Sequence, residues 1–423
     1  MSGHLRPMIV GSRRGIAGAL ALLVTAVTSI AVAAEPKALS EKDFLEKFET
    51  TDPRFEVLEA RVAGARAEVT AARVLPNPSV AYDREETFFS GDAFPENYLR
   101  LAWPIDISGR RSRRTHAAEA GVQAERAETG FERFLLTVEA LVIYHDAAYA
   151  RLRVETLRDG RAALARLVDI VQKRASAGDA SGYDLKRLEL ELAAYDDLIS
   201  TAETELQAAR RRLGTLVGEP EQLYDAADPL ELPAPPGPLD ALVSGVLGDR
   251  QDYQGTKLRA EQAQYDLAAA KHGWVPTLLL TGGLKTTDLG TDTATGYVVG
   301  IAISIPLFDH GQADQQRAAA AKRQANAESR VLEQRVPGLV RAAHEELERR
   351  IAQAQRFAEG QLGMIDDLLR GAEVSYREGE RPSIFELLDA YRTAREVRRR
   401  YLELRRDAKA AETDLWRALG PRP

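Results

Sequence analysis

The stretch "LPNPSVAYD", Leu75 to Asp83, lies between two Ala-rich segments of helical periodicity, and its prolines, Pro76 and Pro78, stop a helix from running through it. Beyond Pro78 the residues alternate, with Val80 and Tyr82 on one side and Ser79, Ala81 and Asp83 on the other. A period of two predicts a strand. "WVPTLLLTG", Trp274 to Gly282, repeats the event: a helical pattern, a proline, then a run suited to a strand. A chain that leaves helix for strand twice in the same way predicts a duplicated fold.

Further correspondences carry the duplication outward in both directions. Pro76 matches Pro276, "WPIDISGRR" (Trp103 to Arg111) matches "IPLFDHGQA" (Ile305 to Ala313), Gly178 matches Gly379 and Gly218 matches Gly420, at offsets of 200 to 202. The repeats are expected to occupy 34–218 and 240–420. Between them, 219–239 carries prolines at 220, 229, 233, 235, 236 and 238 and reads as an extended linker crossing the outside of a packed bundle. Each repeat has the order helix, two short strands, very long helix, turn, long helix. In the first the elements are Pro53 to Val74, Ser79 to Glu85, Tyr98 to Ile105, Arg110 to Ala175 and Ser181 to Val217. In the second they are Leu239 to Lys271, Thr277 to Lys285, Tyr297 to Ile305, Gln312 to Tyr376 and Ser383 to Leu419. The tip turns fall at 176–182 and 377–383.

The last helix of each repeat has an uncharged seam. Leu185, Leu188, Leu192, Tyr195, Ile199, Ala202, Leu206, Ala209, Leu213 and Leu216 follow at alternating steps of three and four, and Leu387 to Ala418 repeat them 202 residues on. That period demands a left-handed coiled coil. The first long helix extends roughly 100 Å at 1.5 Å per residue. Two shorter helices stacked end to end match that length.

The strands have one apolar face and one small or polar face. Tyr297, Val299, Ile301, Ile303 and Ile305 oppose Val298, Gly300, Ala302 and Ser304, while Leu99, Leu101 and Trp103 oppose Tyr98, Arg100 and Ala102. This dyad suits the lipid and lumen faces of a transmembrane barrel, with the polar segments Glu86 to Asn97 and Thr286 to Gly296 as external loops. Four strands cannot close in hydrocarbon, so several chains must share a barrel, and three copies give twelve strands. The expected class is mainly α with a small β part: a duplicated long-helix coiled coil, an α-barrel, with four transmembrane strands per protomer in a trimeric twelve-stranded β-barrel. The alternative is a pair of hairpins covering a soluble bundle.

Arg6, Arg13 and Arg14, the apolar run Ile16 to Val32 and the small residues Ala31-Val32-Ala33 read as a signal peptide over 1–33, with an uncleaved anchor as the alternative. Removing its three arginines from 57 basic residues against 64 acidic ones leaves a net charge near −10, which argues against nucleic acid as a partner. With no cysteine there is neither a disulfide nor an N-terminal lipid on cysteine. The histidines are isolated, so no metal site and no cofactor are expected, and no Gly-rich phosphate loop or nucleophile elbow points to an enzyme. Mean hydropathy is −0.30.

These elements in this order, with "LPNPS" before the first strand, "SGRR" after the second and "FELLDA" after the second turn, closely resemble the TolC-type outer-membrane factor family over nearly all of the mature chain. "DPRFEVLEARVAGARAEVTAARVLPNPSV" resembles its heavy-metal efflux branch, which works with cobalt, zinc, cadmium or copper exporters. The resemblance implies a homotrimer in outer-membrane lipid with a periplasmic helical tunnel. It implies a passive exit duct, a periplasmic adaptor docking at the tips and an inner-membrane pump, commonly of the resistance-nodulation-division type.

By the same resemblance the docking tips are the turns around Gly178, Ser181, Gly379 and Ser383, and the periplasmic mouth is narrowed by Asp184, Glu386 and Asp389. Threefold repetition makes each acid a carboxylate ring that attracts cations. Ser181-x-x-Asp184 and Ser383-x-x-Glu386 equally read as helix-capping pairs, and Arg381 as either a lock on these acids or a solvated loop charge. Asp83 and Arg100 point into the lumen as a cross-strand pair. Trp103, Trp274 and Tyr297 read as interface anchors, with packing at a helix–strand corner as the alternative for the tryptophans. The expected function is the outer-membrane duct of a tripartite efflux system for metal cations or small toxic compounds. A poreless periplasmic coiled-coil scaffold is the competing reading.

Overall fold

Helices run into hairpins and back again, twice. The computed structural model describes residues 35–90, 92–178, 181–378 and 383–421; residues 1–33, read above as a signal peptide, and Gly379 and Arg381 lie outside them. In the first half come β1 (Lys37–Leu39), α1 (Glu41–Thr51), α2 (Pro53–Arg73), β2 (Ser79–Phe89), β3 (Asp92–Ile105), α3 (Arg110–Ala177) and α4 (Gly182–Leu216). After β4 (Tyr224–Ala226) follow α5 (Leu239–Asp249), α6 (Gln251–Ala270), β5 (Thr277–Asp288), β6 (Thr293–Ser304), α7 (Gln312–Phe357), a π-helical turn (Ala358–Leu362), α8 (Gly363–Glu378) and α9 (Ile384–Leu419).

Every position of the two predicted seams is buried or half-buried, with Leu188, Leu213, Leu387 and Leu404 among the largest fully enclosed side chains. Toward the tips, Leu164, Leu167 and Val171 of α3, Leu188 and Tyr195 of α4, Tyr376 of α8 and Leu387, Leu388 and Tyr391 of α9 form one apolar cluster. At the other end of the seam, Phe44, Phe48 and Phe55 pack on Tyr144 and Leu213.

One element expected to be continuous is broken. The helix expected over Leu239 to Lys271 divides at Arg250, whose backbone is extended. The buried Arg250 side chain donates from Nη1 to the Ala418 carbonyl at 2.6 Å, supplying a partner that the last turn of α9 lacks. Asp52 makes the equivalent break between α1 and α2, accepting the Arg54 N–H at 2.9 Å ahead of Pro53 at the first helical position. The linker is also more than an extended crossing. Within it β4 pairs in parallel with β1, Ala38 opposite Asp225, and the Tyr144 hydroxyl donates to the Leu39 carbonyl at 2.9 Å. Arg151 reaches from α3 to the Ala226 carbonyl at 2.9 Å, so the linker is stitched to the helix it crosses.

The four long strands form one antiparallel sheet in the order β2-β3-β5-β6, and Leu99 opposite Leu284 lies on the junction between the two hairpins. Register puts Val80, Tyr82, Leu99, Leu101, Trp103, Leu284, Tyr297, Val299, Ile301 and Ile303 on one face, all exposed. The opposite face carries Ala81, Asp83, Tyr98, Arg100, Thr281, Lys285, Gly296, Val298 and Gly300.

The strands are longer than expected, at 11, 14, 12 and 12 residues, and the segments assigned to loops, Glu86 to Asn97 and Thr286 to Gly296, are mostly strand. Their polar side chains misled because a hairpin leaving hydrocarbon keeps its backbone pairing while its side chains turn polar. Thr87 still pairs with Phe94, and the Tyr82 hydroxyl donates to Asn97 at 2.7 Å. Each helix re-entry after the sheet is made by a left-handed glycine, Gly109 (φ 70) before α3 and Gly311 (φ 84) before α7.

Candidate functional site

At the tips, α3 ends on Gly178, whose φ of 88 suits only glycine without strain. Arg174, one turn earlier, donates to the carbonyls of Tyr376 at 3.1 Å and Arg377 at 3.3 Å, so the first repeat caps the end of α8. Serines cap the following helices. Ser181 Oγ accepts the Tyr183 N–H at 3.1 Å, and Ser383 Oγ accepts the Glu386 N–H at 3.3 Å.

The acids themselves have other surroundings. Asp184 is half-buried and accepts a long hydrogen bond, 3.4 Å, from the Tyr376 hydroxyl, which ties α4 to α8 across the two repeats. Burial pushes the Tyr376 hydroxyl up, and the Asp184 carboxylate beside it adds to the effect. Glu386 and Asp389 are exposed and lie one helical turn apart on α9.

Sequence reasoning missed the groups that join the tips. Tyr183 and Phe385 are 53% and 56% exposed with ring centroids 6.4 Å apart, and the Arg187 guanidinium lies over both, 4.7 Å from Phe385 and 5.7 Å from Tyr183. The signal was available, since each aromatic stands two residues after its capping serine. Deeper, Glu191 is only 4% exposed and accepts from Arg392 at 2.6 Å and from Arg395 at 2.9 Å, bridging α4 to α9. The bond to Glu191 holds the Arg392 guanidinium above its ordinary range.

On the sheet, Asp83 and Arg100 lie on the polar face 3.6 Å apart, on a diagonal because Asp83 is directly opposite Tyr98. Lys285 meets Glu96 at 2.6 Å on the same face. Trp103 stands on the apolar face and donates from its indole to the Pro76 carbonyl at 3.1 Å, so its ring is exposed while its N–H fixes the helix–strand corner. Trp274 is exposed just before β5, and Tyr297 is 83% exposed on the apolar face.

No helix among the described residues is long and apolar enough to cross a membrane, and none of their His, Asp and Glu side chains group into a metal-holding cluster. The sheet itself has an exposed apolar face and a polar reverse, which suit lipid and water respectively.

A helical wall that ends in paired hairpins of this kind defines one sector of an outer-membrane channel. The chain belongs to the outer membrane efflux protein family, which it matches over residues 45–219 and 242–421, one stretch for each repeat. It is 26% identical over 359 residues to the cobalt-zinc-cadmium resistance protein CzcC of Cupriavidus metallidurans, covering 83% of each chain. To the nickel-cobalt-cadmium resistance protein NccC of Alcaligenes xylosoxydans xylosoxydans it is 24% identical over 312 residues, 72% of this chain and 69% of the relative. Its fold is that of the crystallised channel protein CusC, with a TM-score of 0.72 at 19% identity over 90% of this chain and 92% of the other.

Proposed function

We propose that three copies of this chain close their sheets into one twelve-stranded barrel and form the passive exit duct of a tripartite efflux system for metal cations. The observation that carries this reading is the pair of open sheet edges, β2 on one side and β6 on the other, beside an apolar face exposed along its length. Unpaired backbone groups in hydrocarbon cost several kcal/mol each, so edge must meet edge in a neighbouring copy. Edge chemistry alone fixes closure, and the family resemblance supplies three as the number.

The helical tips at Gly178–Ser181 and Gly379–Ser383 are the docking points for a periplasmic adaptor, behind which an inner-membrane pump of the resistance-nodulation-division type supplies the energy. Asp184, Glu386 and Asp389 ring the mouth. Metal cargo is supported by the names of CzcC and NccC as metal-resistance proteins and by the cation-attracting acids at the tips.

The absence of cysteine makes the assembly testable by cross-linking. With Tyr82→Cys on β2 and Val299→Cys on β6, a short bis-maleimide applied to outer membranes is expected to give dimer and trimer bands and nothing larger. A band at the monomer alone refutes the shared barrel. For the cargo, deletion of the gene is expected to lower cobalt, zinc or cadmium tolerance and leave organic-toxin tolerance unchanged; the reverse pattern removes the metal assignment.

A further inference from the structure

The polar face of the sheet carries charged side chains on three strands, and most of them are tied to one another. Glu85 on β2 lies directly opposite Glu96 on β3, with Asp83 two residues away on the same face. As folded, these carboxylates form no metal-holding cluster, but each supplies the oxygen ligand that a divalent cation takes. Like charges directly opposite each other also repel across the strand pair.

Two cations of the chain occupy this wall. Lys285 Nζ lies 2.6 Å from the Glu96 carboxylate and 5.3 Å from the centre of the Tyr98 ring. Arg100 reaches the Asp83 carboxylate at 3.6 Å and lies 4.6 Å from the same ring. The Tyr98 hydroxyl donates to Glu96 at 2.5 Å, so the same residue meets the acid and both cations. Thr287 adds a hydrogen bond to Glu96 at 3.3 Å. The network spans β2, β3 and β5 and leaves Glu85 as the acid outside it.

We infer that Lys285 and Arg100 are built-in counter-ions that mask the barrel wall against its own cargo. A duct for divalent cations whose lining exposed Asp83, Glu85 and Glu96 together would retain them. With Glu96 and Asp83 already engaged, a permeating cation meets single carboxylates rather than a chelating set, so attraction draws it along without holding it. Lys285 is the more important of the two, because it neutralises the acid that faces Glu85. The inference rests on the duct reading above and assigns a specificity role to residues of the barrel rather than of the tips.

The test uses the full-length channel in planar bilayers with cadmium chloride as the probe, each variant's current being scaled to its own cadmium-free value. Lys285→Met is expected to give block at micromolar to low millimolar cadmium, at a concentration at least tenfold below any that affects the parent. Lys285→Arg should stay as resistant as the parent, and adding Glu85→Gln and Glu96→Gln to Lys285→Met should lift the block. Equal cadmium sensitivity of parent and Lys285→Met overturns the inference, as does block that survives removal of both glutamates. If the parent forms no channel at all, it is the duct reading that fails.

Discussion

Replacing Glu191 by Gln tests what holds the outer part of the helical wall together. Glu191 is enclosed at the interface of α4 and α9, and its two oxygens accept from Arg392 and Arg395. Breaking a buried pair by removing one partner costs about 3–5 kcal/mol, and hydrogen bonds to charged groups contribute about 1.5–3 kcal/mol each. Arg392 is half exposed and regains water when released, so its share is small. Arg395 is mostly covered and stacks 5.1 Å from Tyr195, and it is left with an amide in place of a carboxylate. A loss of about 2–3 kcal/mol follows, confined to the tip half of the wall.

Native-state hydrogen exchange reads this directly. At about 1.4 kcal/mol per tenfold, amides of Leu188–Tyr195 and Leu388–Ala394 are expected to exchange roughly 30–100-fold faster in Glu191→Gln. Those of the Phe44–Tyr144 cluster should not change. Glu191→Met combined with Arg395→Leu should recover much of the protection, because an apolar pair of similar size needs no partner. Unchanged exchange around Leu188 refutes the view that this carboxylate couples α4 to α9, and a uniform increase over the whole chain refutes its local character.

Three further outcomes are expected. Glu386→Gln with Asp389→Asn should raise conductance at low voltage or weaken cation block, measured on single channels; unchanged currents would leave these acids no role at the mouth. Gly311→Ala places a Cβ at a φ of 84 and 2.9 Å from the Ala270 carbonyl oxygen, so a loss of about 1–2 kcal/mol should appear as a lower melting temperature of the detergent-solubilised assembly. Asp52 bears on acid stability: burial pushes its carboxyl up, but the hydrogen bonds from Arg54 outweigh burial and hold it below its ordinary value of 3.8. Its stabilising contribution is therefore complete above the ordinary carboxylate range and is lost as pH falls through the lowered value. Asp52→Asn should flatten the acid limb of a stability–pH profile and change little at pH 7 beyond the lost ion pair.

The long helices, the duplication and the two faces of the sheet were legible because each rests on a period: 3.5 in Leu185 to Leu216, two in Tyr297 to Ile305, and about 201 between the repeats. Features that rest on a single long-range partner were not. Arg250 reads as an ordinary surface charge in a helical pattern, and only the end of α9, folded back beside it, explains the break. Glu191 sits next to the seam position Leu192 and looks like solvent-facing polarity until Arg392 and Arg395 close over it. The hairpin ends were read as loops because polarity was taken for irregular backbone. Asp184 and Glu386 match a capping pattern, but the capping is done by the serines, and the hydroxyl of Tyr376 beside Asp184 comes from 192 residues away.

The contact between β3 and β5 is the same kind of strand pairing that the proposed barrel needs between one chain and the next, except that here the polypeptide itself holds the two hairpins in reach. Tethered edges meet at high effective concentration, whereas β6 and a neighbour's β2 meet only by diffusion within the bilayer. Each sheet of four should thus assemble early and ring closure come last. On heating, the cylinder should come apart into intact four-stranded fragments, one per polypeptide, with the fracture always running between polypeptides.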